Sequence, residues 1–406
     1  MTATSPAPDA RIDDLMRDQP AFASLEFFPP RTAEGVANLK ERIVRMRDST
    51  KPMFMDVTWG AGGSTSDLTL DLVKFIRSTG VVANMHLTCT NMTPGKVDEA
   101  LAAASACGIR NIVALRGDPP LGEDKWTATG GGFECALDLV RHIKREYPEM
   151  CVSVAGYPEG HPNAISELPS SQSAASLTER EKLRCSEAGG KVSVCFDADY
   201  DNELKYLKEK VDAGADFIIT QMFFDPEVFG NFMSDCRAIG IKVPIVPGIM
   251  CINNFGGFFR MTGFCKTRVP PTLVAEMEKR KDDEHELKEY GVEFGAEMCM
   301  RLLALGAPCV HFYTLNLEKV VYGILDALGW TTELSAKMDL DNDAGTMQAK
   351  GSAWARVGDE VQSMFGSGVV KEVRQDGAAC IEMRSWKLAF GQTPTAVLQA
   401  GMYKKV

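Results

Sequence analysis

Eight short runs of β-type residues alternate with longer helical stretches, and this alternation limits the possible folds more than any other feature. Strands that alternate with helices form a parallel sheet, and eight such units close a (β/α)8, or TIM, barrel. We therefore predict an α/β barrel. The predicted strands are AFASLEFF (21–28), MFMDVTW (53–59), VANMHLTC (82–89), NIVALRGD (111–118), CVSVAGYP (151–158), DFIITQMFF (216–224), VPIVPGI (243–249) and CVHFYTL (309–315).

The stretches between these runs carry apolar residues at helical spacing. Val36, Leu39, Ile43 and Met46 are an example, because residues three and four positions apart share one face of a helix. An open doubly wound sheet is the alternative fold. However, no strand is followed by a G-x-G-x-x-G that opens a helix, and GAGGSTS (60–66) has neither that spacing nor the spacing of a P-loop.

The chain divides into a barrel with two flanking segments. Residues 1–20 are polar and rich in Pro and Ala, so we expect a flexible lead-in. Residues 21–330 are the predicted barrel, in which 163–198 form an unusually long insertion with a Ser/Ala-rich centre that suggests mobility. Residues 331–406 are a C-terminal extension, where VVKEV and ACIEMRSWKLAF predict a hairpin across the RQDG turn.

Composition argues against several classes of protein. The 406 residues carry a formal net charge of -11, which disfavours a broad nucleic-acid surface. We find neither an apolar signal core at the N-terminus nor the ~20 continuous apolar residues of a membrane span. The twelve cysteines are scattered without zinc spacing, as is typical of reduced thiols. We predict a soluble cytoplasmic protein that binds no nucleic acid, membrane or metal, and homo-oligomerisation remains open.

Polar side chains collect where the predicted strands end. In a (β/α)8 barrel the catalytic groups lie at the carboxyl ends of the strands, so these residues are expected to share one rim. The seventh strand ends in PGI, and Asn253 and Phe255 follow it. The other strand ends carry Glu26, Thr58, His86, Arg116 with Asp118, Tyr157 with His161, Gln221, and Tyr313.

Each of these residues also has a purely structural interpretation. Glu26 lies between Leu25 and Phe27 and is either an ion-pair partner of an arginine or a carboxyl held for proton chemistry. His86 lies in an apolar strand, where a hydrogen-bonded core histidine is common. Arg116 and Asp118 share one face of their strand and are compatible with a structural pair.

Eight ordered motifs resemble the methylenetetrahydrofolate reductase family, flavoproteins built on a (β/α)8 barrel. They are SLEFFPPRT, DVTWGAGG, HLTC, ALRGDPP, AGYPEGHP, AGADFIITQMFFD, PIVPGI and HFYTLN, and they cover about residues 21–330. The resemblance implies non-covalent FAD, NADH or NADPH as reductant, and reduction of 5,10-methylenetetrahydrofolate to 5-methyltetrahydrofolate. It also implies that 331–406 is too short for the AdoMet-binding regulatory domain of animal and fungal members, so we expect that domain to be missing.

The resemblance further implies roles for individual residues. Glu26 matches the general acid, and apolar neighbours would favour its neutral form. Asp118 would stabilise the iminium cation electrostatically. Gln221 and Tyr313 match folate contacts, and Phe255 is a candidate for stacking on the pterin or nicotinamide. The implied cofactor-binding residues are Thr58, Trp59, His86, Arg116, Gly117, Asp118, Cys135, Ala136, Tyr157, His161, Pro162, Asn163, Ala164, Glu203 and Lys210.

The sequence departs from the family pattern at three positions. Glu203 stands where the family usually has Asp, Cys135 replaces a common Tyr, and Leu317 replaces an Arg, which puts one basic contact to folate in doubt. Two alternative functions remain: another flavin oxidoreductase on a TIM barrel, such as a proline-dehydrogenase-like enzyme, or a barrel that acts as a scaffold without catalysis.

Overall fold

The structure is a computed structural model of the chain. It describes most of the first 331 residues and parts of the C-terminal extension. The described ranges are 7–18, 22–60, 65–118, 131–169, 174–188, 191–331, 357–363, 366–373, 379–384, 395–398 and 403–405.

Each predicted strand corresponds to observed strand structure, and further strands occur in the insertion and the extension. In chain order they are β1 (Phe22–Phe27), β2 (Phe54–Val57), β3 (Val82–Thr88), β4 (Asn111–Leu115), β5 (Cys151–Gly156), β6 (Ser166–Glu167), β7 (Cys185–Ala188), β8 (Lys191–Val194), β9 (Phe217–Thr220), β10 (Ile245–Val246), β11 (Gly248–Met250), β12 (Cys309–Tyr313), β13 (Glu360–Ser363), β14 (Gly366–Val373), β15 (Ala379–Met383), β16 (Thr395–Leu398) and β17 (Tyr403–Lys405).

Nine of these strands form one parallel sheet in the order β10-β9-β5-β4-β3-β2-β1-β12-β11. The two ends of this sheet, β10 and β11, are consecutive in the chain and are separated by Pro247. Proline has no N–H to donate to a ladder, so the predicted seventh strand is split there. Its first half pairs with β9 and its second half with β12, which closes the ring and confirms the (β/α)8 barrel.

Helices surround the barrel and pack their apolar faces on it. Helix α2 (Ala33–Thr50) buries Leu39, Ile43 and Met46, three of the residues whose spacing predicted it. Its first turn is capped by Thr32, whose side chain accepts a hydrogen bond from the Gly35 N–H. The helices are α1 (Ile12–Asp18), α2 (Ala33–Thr50), α3 (Ser66–Ser78), α4 (Pro94–Ala106), α5 (Ala136–Glu146), α6 (Glu179–Lys182), α7 (Asp197–Asp212), α8 (Pro226–Ala238), α9 (Phe255–Phe264), α10 (Pro271–Lys279), α11 (Glu284–Ala304) and α12 (Lys319–Ala327).

Part of the segment that we expect to be a flexible lead-in has regular structure. Helix α1 lies in this segment, and Ile12 is fully buried in a cluster that includes Phe54 and Phe217. The Asn111 side chain accepts the Ile12 N–H at 2.9 Å and donates to the Ala10 carbonyl at 3.0 Å. Seven residues are too few for helical periodicity to be visible, and burial of Ile12 orders them.

The insertion 163–198 folds into its own antiparallel sheet in the order β6-β8-β7. Buried Arg184 anchors it, because its guanidinium donates to Asp197 and stacks 4.0 Å from the centre of the Tyr200 ring on α7. The Ser-rich residues 170–173, on which the expectation of mobility partly rested, lie outside the described residues.

The C-terminal extension contains a five-stranded antiparallel sheet in the order β16-β15-β14-β13-β17. Strands β14 and β15 pair as the hairpin predicted from VVKEV and ACIEM. Residues 385–390 of the proposed second arm lie outside the described residues. Among the helices that the structure describes, none combines the length and the apolar character that crossing a bilayer requires.

Candidate functional site

A cavity of about 610 Å³ opens at the carboxyl ends of the barrel strands. The polar residues predicted from the strand ends, except Asn253, meet here, because every strand of a parallel barrel points the same way. Asn253 is buried, and its side chain donates to the Cys251 carbonyl instead. The lining includes Glu26, Thr58, Trp59, His86, Thr88, Arg116, Gly117, Asp118, Tyr157, His161, Pro162, Asn163, Gln221, Met222, Met250, Met261, Phe264, Cys265, Tyr313 and Leu315.

A second lobe of about 270 Å³ adjoins this cavity and shares Arg116, Tyr157, His161 and Asn163 with it. Three elements supply its other walls: the loop before α5, the start of α5, and one face of α7. The structure therefore brings further predicted cofactor residues together. The residues of this lobe that do not line the main cavity include Glu134, Cys135, Ala136, Glu203, Tyr206 and Lys210.

The Glu26 carboxylate lies between two histidines. Its Oε2 atom is 3.4 Å from His86 Nε2 and 3.5 Å from His311 Nε2. The side chain of Glu26 is 17% exposed, at the floor of the cavity. His311 is fully buried, and its Nδ1 atom is fixed by the Ser24 hydroxyl at 2.9 Å. One oxygen of the predicted acid therefore faces the Nε2 atoms of two imidazoles.

The surroundings of Glu26 correct the expectation of an apolar seat. Leu25 and Phe27 are buried, but successive side chains of a strand point to opposite faces. They pack in the apolar cluster that contains Leu39, whereas Glu26 points into the barrel. Its carboxylate is thus surrounded by imidazoles instead of by its sequence neighbours.

Asp56 is a buried carboxyl that the sequence reading missed. It is fully buried in the middle of β2, directly beside Glu26 in the register of β1 and β2. Its Oδ2 atom accepts a hydrogen bond from Asn84 at 3.1 Å and lies 3.3 Å from His86 Nε2. Asp56 does not lie at a strand end, where candidate site residues were expected. Its only signal in the sequence is that it is the one polar residue of FMDV.

The electrostatics of Asp56 and His86 are coupled. Burial raises the pKa of Asp56, and the hydrogen bond with His86 offsets this effect only in part. Burial by itself would lower the pKa of His86, but the hydrogen bond with Asp56 and the charge of Glu26 raise it above its ordinary value. Both shifts favour retention of a proton by the pair at neutral pH.

Three of these groups also have a geometry that can hold a metal ion. Ligand atoms of Glu26, Asp56 and His311 lie within 4.8 Å of one another. The sequence showed no metal spacing because the three residues come from three different strands. However, Oδ2 of Asp56 already accepts the Asn84 N–H and faces His86 Nε2, so these contacts fit a shared proton directly.

The second lobe is arranged to receive an anion. Lys210 is buried, and its Nζ atom donates to the Ala155 carbonyl at 2.9 Å. Burial lowers the pKa of Lys210 to about 8, although the charge of Glu203 acts in the opposite direction. Arg116 lines the same lobe, and the N-terminus of α5 adds its dipole.

His161 is a neutral hydrogen-bond donor between the two lobes. Burial and the positive charges of Arg116, Lys210 and Lys266 lower the pKa of His161 to about 4. Its Nδ1 atom accepts the Asn163 N–H at 3.1 Å, so the proton of the neutral ring lies on Nε2. The imidazole can therefore donate to an acceptor in the cavity.

The remaining predicted substrate residues differ in position. The Tyr313 hydroxyl donates to the Thr220 carbonyl at 2.6 Å, and Gln221 Oε1 accepts the Met222 N–H at 2.9 Å. Both residues line the cavity. Phe255 is not among the lining residues, and its ring packs 4.8 Å from that of Phe259.

The same helix, α9, presents other side chains to the cavity. They include Met261 and Phe264, which is 74% exposed, and Cys265 follows at the C-cap of the helix. Exposed Phe264 was not found from the sequence, since it lies at the end of a helix instead of at a strand end.

Fold and cavity together define a (β/α)8-barrel protein with a large ligand site at the carboxyl ends of its strands. A family model described as "Methylenetetrahydrofolate reductase" matches residues 11–329. The chain belongs to the methylenetetrahydrofolate reductase family, as the sequence motifs indicated.

Individual relatives agree with this assignment. The chain is 49% identical over 325 residues to the "Probable methylenetetrahydrofolate reductase (NADH)" of Oryza sativa subsp. japonica. The aligned region covers 80% of this chain and 50% of the relative. It is 36% identical over 307 residues to the "5,10-methylenetetrahydrofolate reductase" of Escherichia coli (strain K12), covering 75% of this chain and 90% of that protein. The chain thus spans about half the length of the rice relative.

A solved structure supports the fold alone. It is an uncharacterized protein from Clostridium thermocellum that binds two copies of 5-methyl-5,6,7,8-tetrahydrofolic acid. It matches with a TM-score of 0.50 at 12% identity and covers 80% of this chain and 100% of that one.

Proposed function

We propose that the protein reduces 5,10-methylenetetrahydrofolate to 5-methyltetrahydrofolate, with FAD as cofactor and NADH as the preferred reductant. The observation that carries this proposal is the convergence of the family's site residues, Glu26 among them, on one cavity of suitable size. The Escherichia coli relative, of which the chain covers 90%, has this activity in its name. The name of the rice relative favours NADH.

The residues of the cavity fit FAD. The second lobe, which we call the anion lobe, contains Lys210, Arg116 and the start of α5. It suits a diphosphate. Trp59, Tyr157 and His86 give the main cavity flat walls and donors for a polar ring system. Gly117 has a φ of 91°, and a side chain there would meet Thr88 and Thr90, so this turn of the wall requires glycine.

FAD, when bound, supplies the hydride chemistry that connects the nicotinamide to the folate. The protein supplies position and charge. Arg116 and Lys210 hold the anionic part of the cofactor, and neutral His161 donates a hydrogen bond without adding positive charge. Tyr157 remains a protonated donor, because burial raises the pKa of its hydroxyl to about 12.

Glu26 acts as the general acid on the folate. The methylene bridge opens to an iminium ion when a proton is delivered to the leaving nitrogen. Glu26 is at the floor of the cavity and has proton-holding groups behind it, so it is placed for this transfer. Asp118 lines the same cavity and would stabilise the cationic iminium electrostatically. Gln221 and Tyr313 would orient the pterin.

A direct assay tests the proposal. Protein loaded with FAD should convert methylenetetrahydrofolate to methyltetrahydrofolate when NADH is supplied, with product identified by mass spectrometry. NADPH in place of NADH should give a lower kcat/KM. Proline should not reduce the bound flavin, which separates this function from that of a proline-dehydrogenase-like enzyme. Failure to bind flavin would favour the scaffold, and flavin reduction without folate turnover would contradict the proposed substrate.

A further inference from the structure

A layer of polar side chains crosses the interior of the barrel beneath Glu26. Parallel strands place residues in register side by side, and Glu26 pairs with Asp56, which in turn pairs with Asn84. Asp56 and Asn84 are fully buried. A buried carboxyl is costly unless it is hydrogen-bonded or protonated, so this layer requires an explanation beyond packing.

The layer reaches the predicted acid through His86. The Nε2 atom of His86 lies 3.3 Å from Asp56 Oδ2 and 3.4 Å from Glu26 Oε2. It therefore stands between the two carboxyls, and a proton on this nitrogen can be directed to either one. These separations exceed an ordinary hydrogen bond by a few tenths of an ångström, as is common before substrate binds.

The proposed reaction needs a proton in every turnover. Hydride that originates from NADH neutralises the positive charge of the iminium. The leaving nitrogen takes a proton from Glu26, and Glu26 must then regain one. When ligands fill the cavity, water has little access to the partly buried Glu26 carboxylate. The proton-holding groups that contact its Oε2 atom from behind are then His86 and His311.

We propose that Asp56 and His86 hold one proton behind Glu26 and return it to Glu26 Oε2 after the acid has protonated its substrate. This inference rests on the proposed function. In the transfer, the N–H bond at His86 Nε2 breaks, an O–H bond forms at Glu26, and the electron pair stays on nitrogen. Water entering the emptied cavity restores the proton. Asp56 is a positioning residue, because it acts through His86.

The titratable groups around Asp56 come from three strands. None of them is a lysine or arginine that would pair with Asp56 and remove its dependence on His86, as judged over the described residues. They are Glu26 of β1, His86 of β3, and Cys309, His311 and Tyr313 of β12.

Asp56→Asn tests this proposal, because it keeps the size of the side chain and removes the charge that holds the proton on His86. We expect steady-state turnover of folate under saturating NADH to slow about tenfold or more at pH 7.5, because Glu26 must regain its proton in every cycle. Its alkaline limb should move to lower pH by roughly one unit. Reduction of the flavin by NADH, which needs no proton from Glu26, should change less than about threefold.

Ser153→Ala is the matched control. Ser153 is fully buried in β5, three strands from β2 in the sheet, and its hydroxyl lies 3.4 Å from the Ile112 carbonyl. We expect both half-reactions and the pH profile of this variant to match wild type. If the pH profile of Asp56→Asn superimposed on that of wild type, the proposal that Asp56 and His86 hold a proton for Glu26 would be overturned. A wild-type protein without any folate half-reaction would instead contradict the proposed function.

Nitrogen NMR of the histidines gives a second test that does not depend on a variant of Asp56. The chain has five histidines, and His142→Gln identifies the signal of His142, whose Nε2 atom lies 2.6 Å from Asp98 Oδ1. We expect one imidazole other than that of His142 to stay doubly protonated at pH 8 in the wild-type holoenzyme. Neutral imidazoles throughout at pH 8 would overturn the proposal, as would a metal-bound imidazole signal that a chelator abolishes.

Discussion

Glu159 Oε2 accepts a hydrogen bond from the backbone N–H of Arg268 at 2.7 Å, although the two residues are 109 positions apart. The contact ties the loop after β5, which carries Tyr157 and His161, to the segment after α9. Lys266 adds to it by donating to the carbonyls of Pro162 and Ile165, both at 2.9 Å. Residues of both regions line the cavity, so their connection helps to keep its shape.

Glu159 should make stability depend on pH. Burial raises the pKa of Glu159 to about 8 from an ordinary 4.5, so the folded state keeps a proton that the unfolded chain loses. Stability therefore falls as pH rises from about 4.5 to about 8. Glu159→Gln should remove this loss, about 2–3 kcal/mol between pH 6 and 8.

Thermal unfolding at both pH values measures the effect. The Tm of wild type should drop more from pH 6 to pH 8 than that of Glu159→Gln. Glu187→Gln, at an exposed position, should behave as wild type. An equal drop in the Glu159 variant and in wild type would show that this carboxyl is ionised in the fold.

Lys210 should control the affinity for FAD. Lys210→Met removes a buried cation from the anion lobe, and we expect the Kd of FAD to rise roughly 10–100-fold at pH 7. Because burial lowers the pKa of Lys210 to about 8, wild-type affinity should also weaken as pH rises past 8. Fluorescence titration of the apoprotein with FAD measures both effects.

Lys205→Met serves as the control, since Lys205 is exposed on the same helix. Its Kd should stay within about twofold of wild type at this solvated position. If Lys205→Met weakened FAD binding as much as Lys210→Met, the effect would belong to the overall charge of α7.

Gly248 should be required for closure of the barrel. A side chain at this position would collide with the Thr220 carbonyl and with the Tyr313 hydroxyl, which are hydrogen-bonded to each other. Gly248→Ala should destabilise the protein by about 2–4 kcal/mol through overpacking and should raise the KM for folate by displacing Tyr313. Chemical unfolding and steady-state kinetics check the two effects.

A helical glycine provides the comparison. A side chain at Gly230 of α8 would meet Leu305 at ordinary contact distance, so Gly230→Ala should be neutral or stabilising by up to ~1 kcal/mol. A Gly248→Ala protein as stable as wild type would show that β11 can shift away from Tyr313.

Periodicity and strand ends were sufficient to predict the barrel and the rim of its cavity. The alternation of eight strands with helices predicted the barrel, and Pro247 explains why one of those strands is split in two. What the sequence did not reveal depends on register between strands. Asp56 meets Glu26 only because β1 and β2 pair in one particular register, which no single strand specifies.

Helix α1 was not apparent from the sequence for a related reason. Residues 10–18 read as polar because their single fully buried anchor, Ile12, carries no repeat. Its position depends on Asn111, which lies 99 positions away at the start of β4. Contacts of this kind follow from the closed ring and cannot be inferred before it.

The most direct test of the account is the effect of Glu26→Gln on the two half-reactions. Glutamine keeps the size of the side chain and can face His86 and His311, but it cannot donate a carboxylic proton. Flavin absorbance in a stopped-flow instrument follows reduction by NADH and reoxidation by methylenetetrahydrofolate separately. We predict that reduction stays within about tenfold of wild type and that reoxidation slows by ~10²–10⁴-fold. A normal rate of reoxidation would remove Glu26 as the acid, and equal losses in both half-reactions would assign it a structural role.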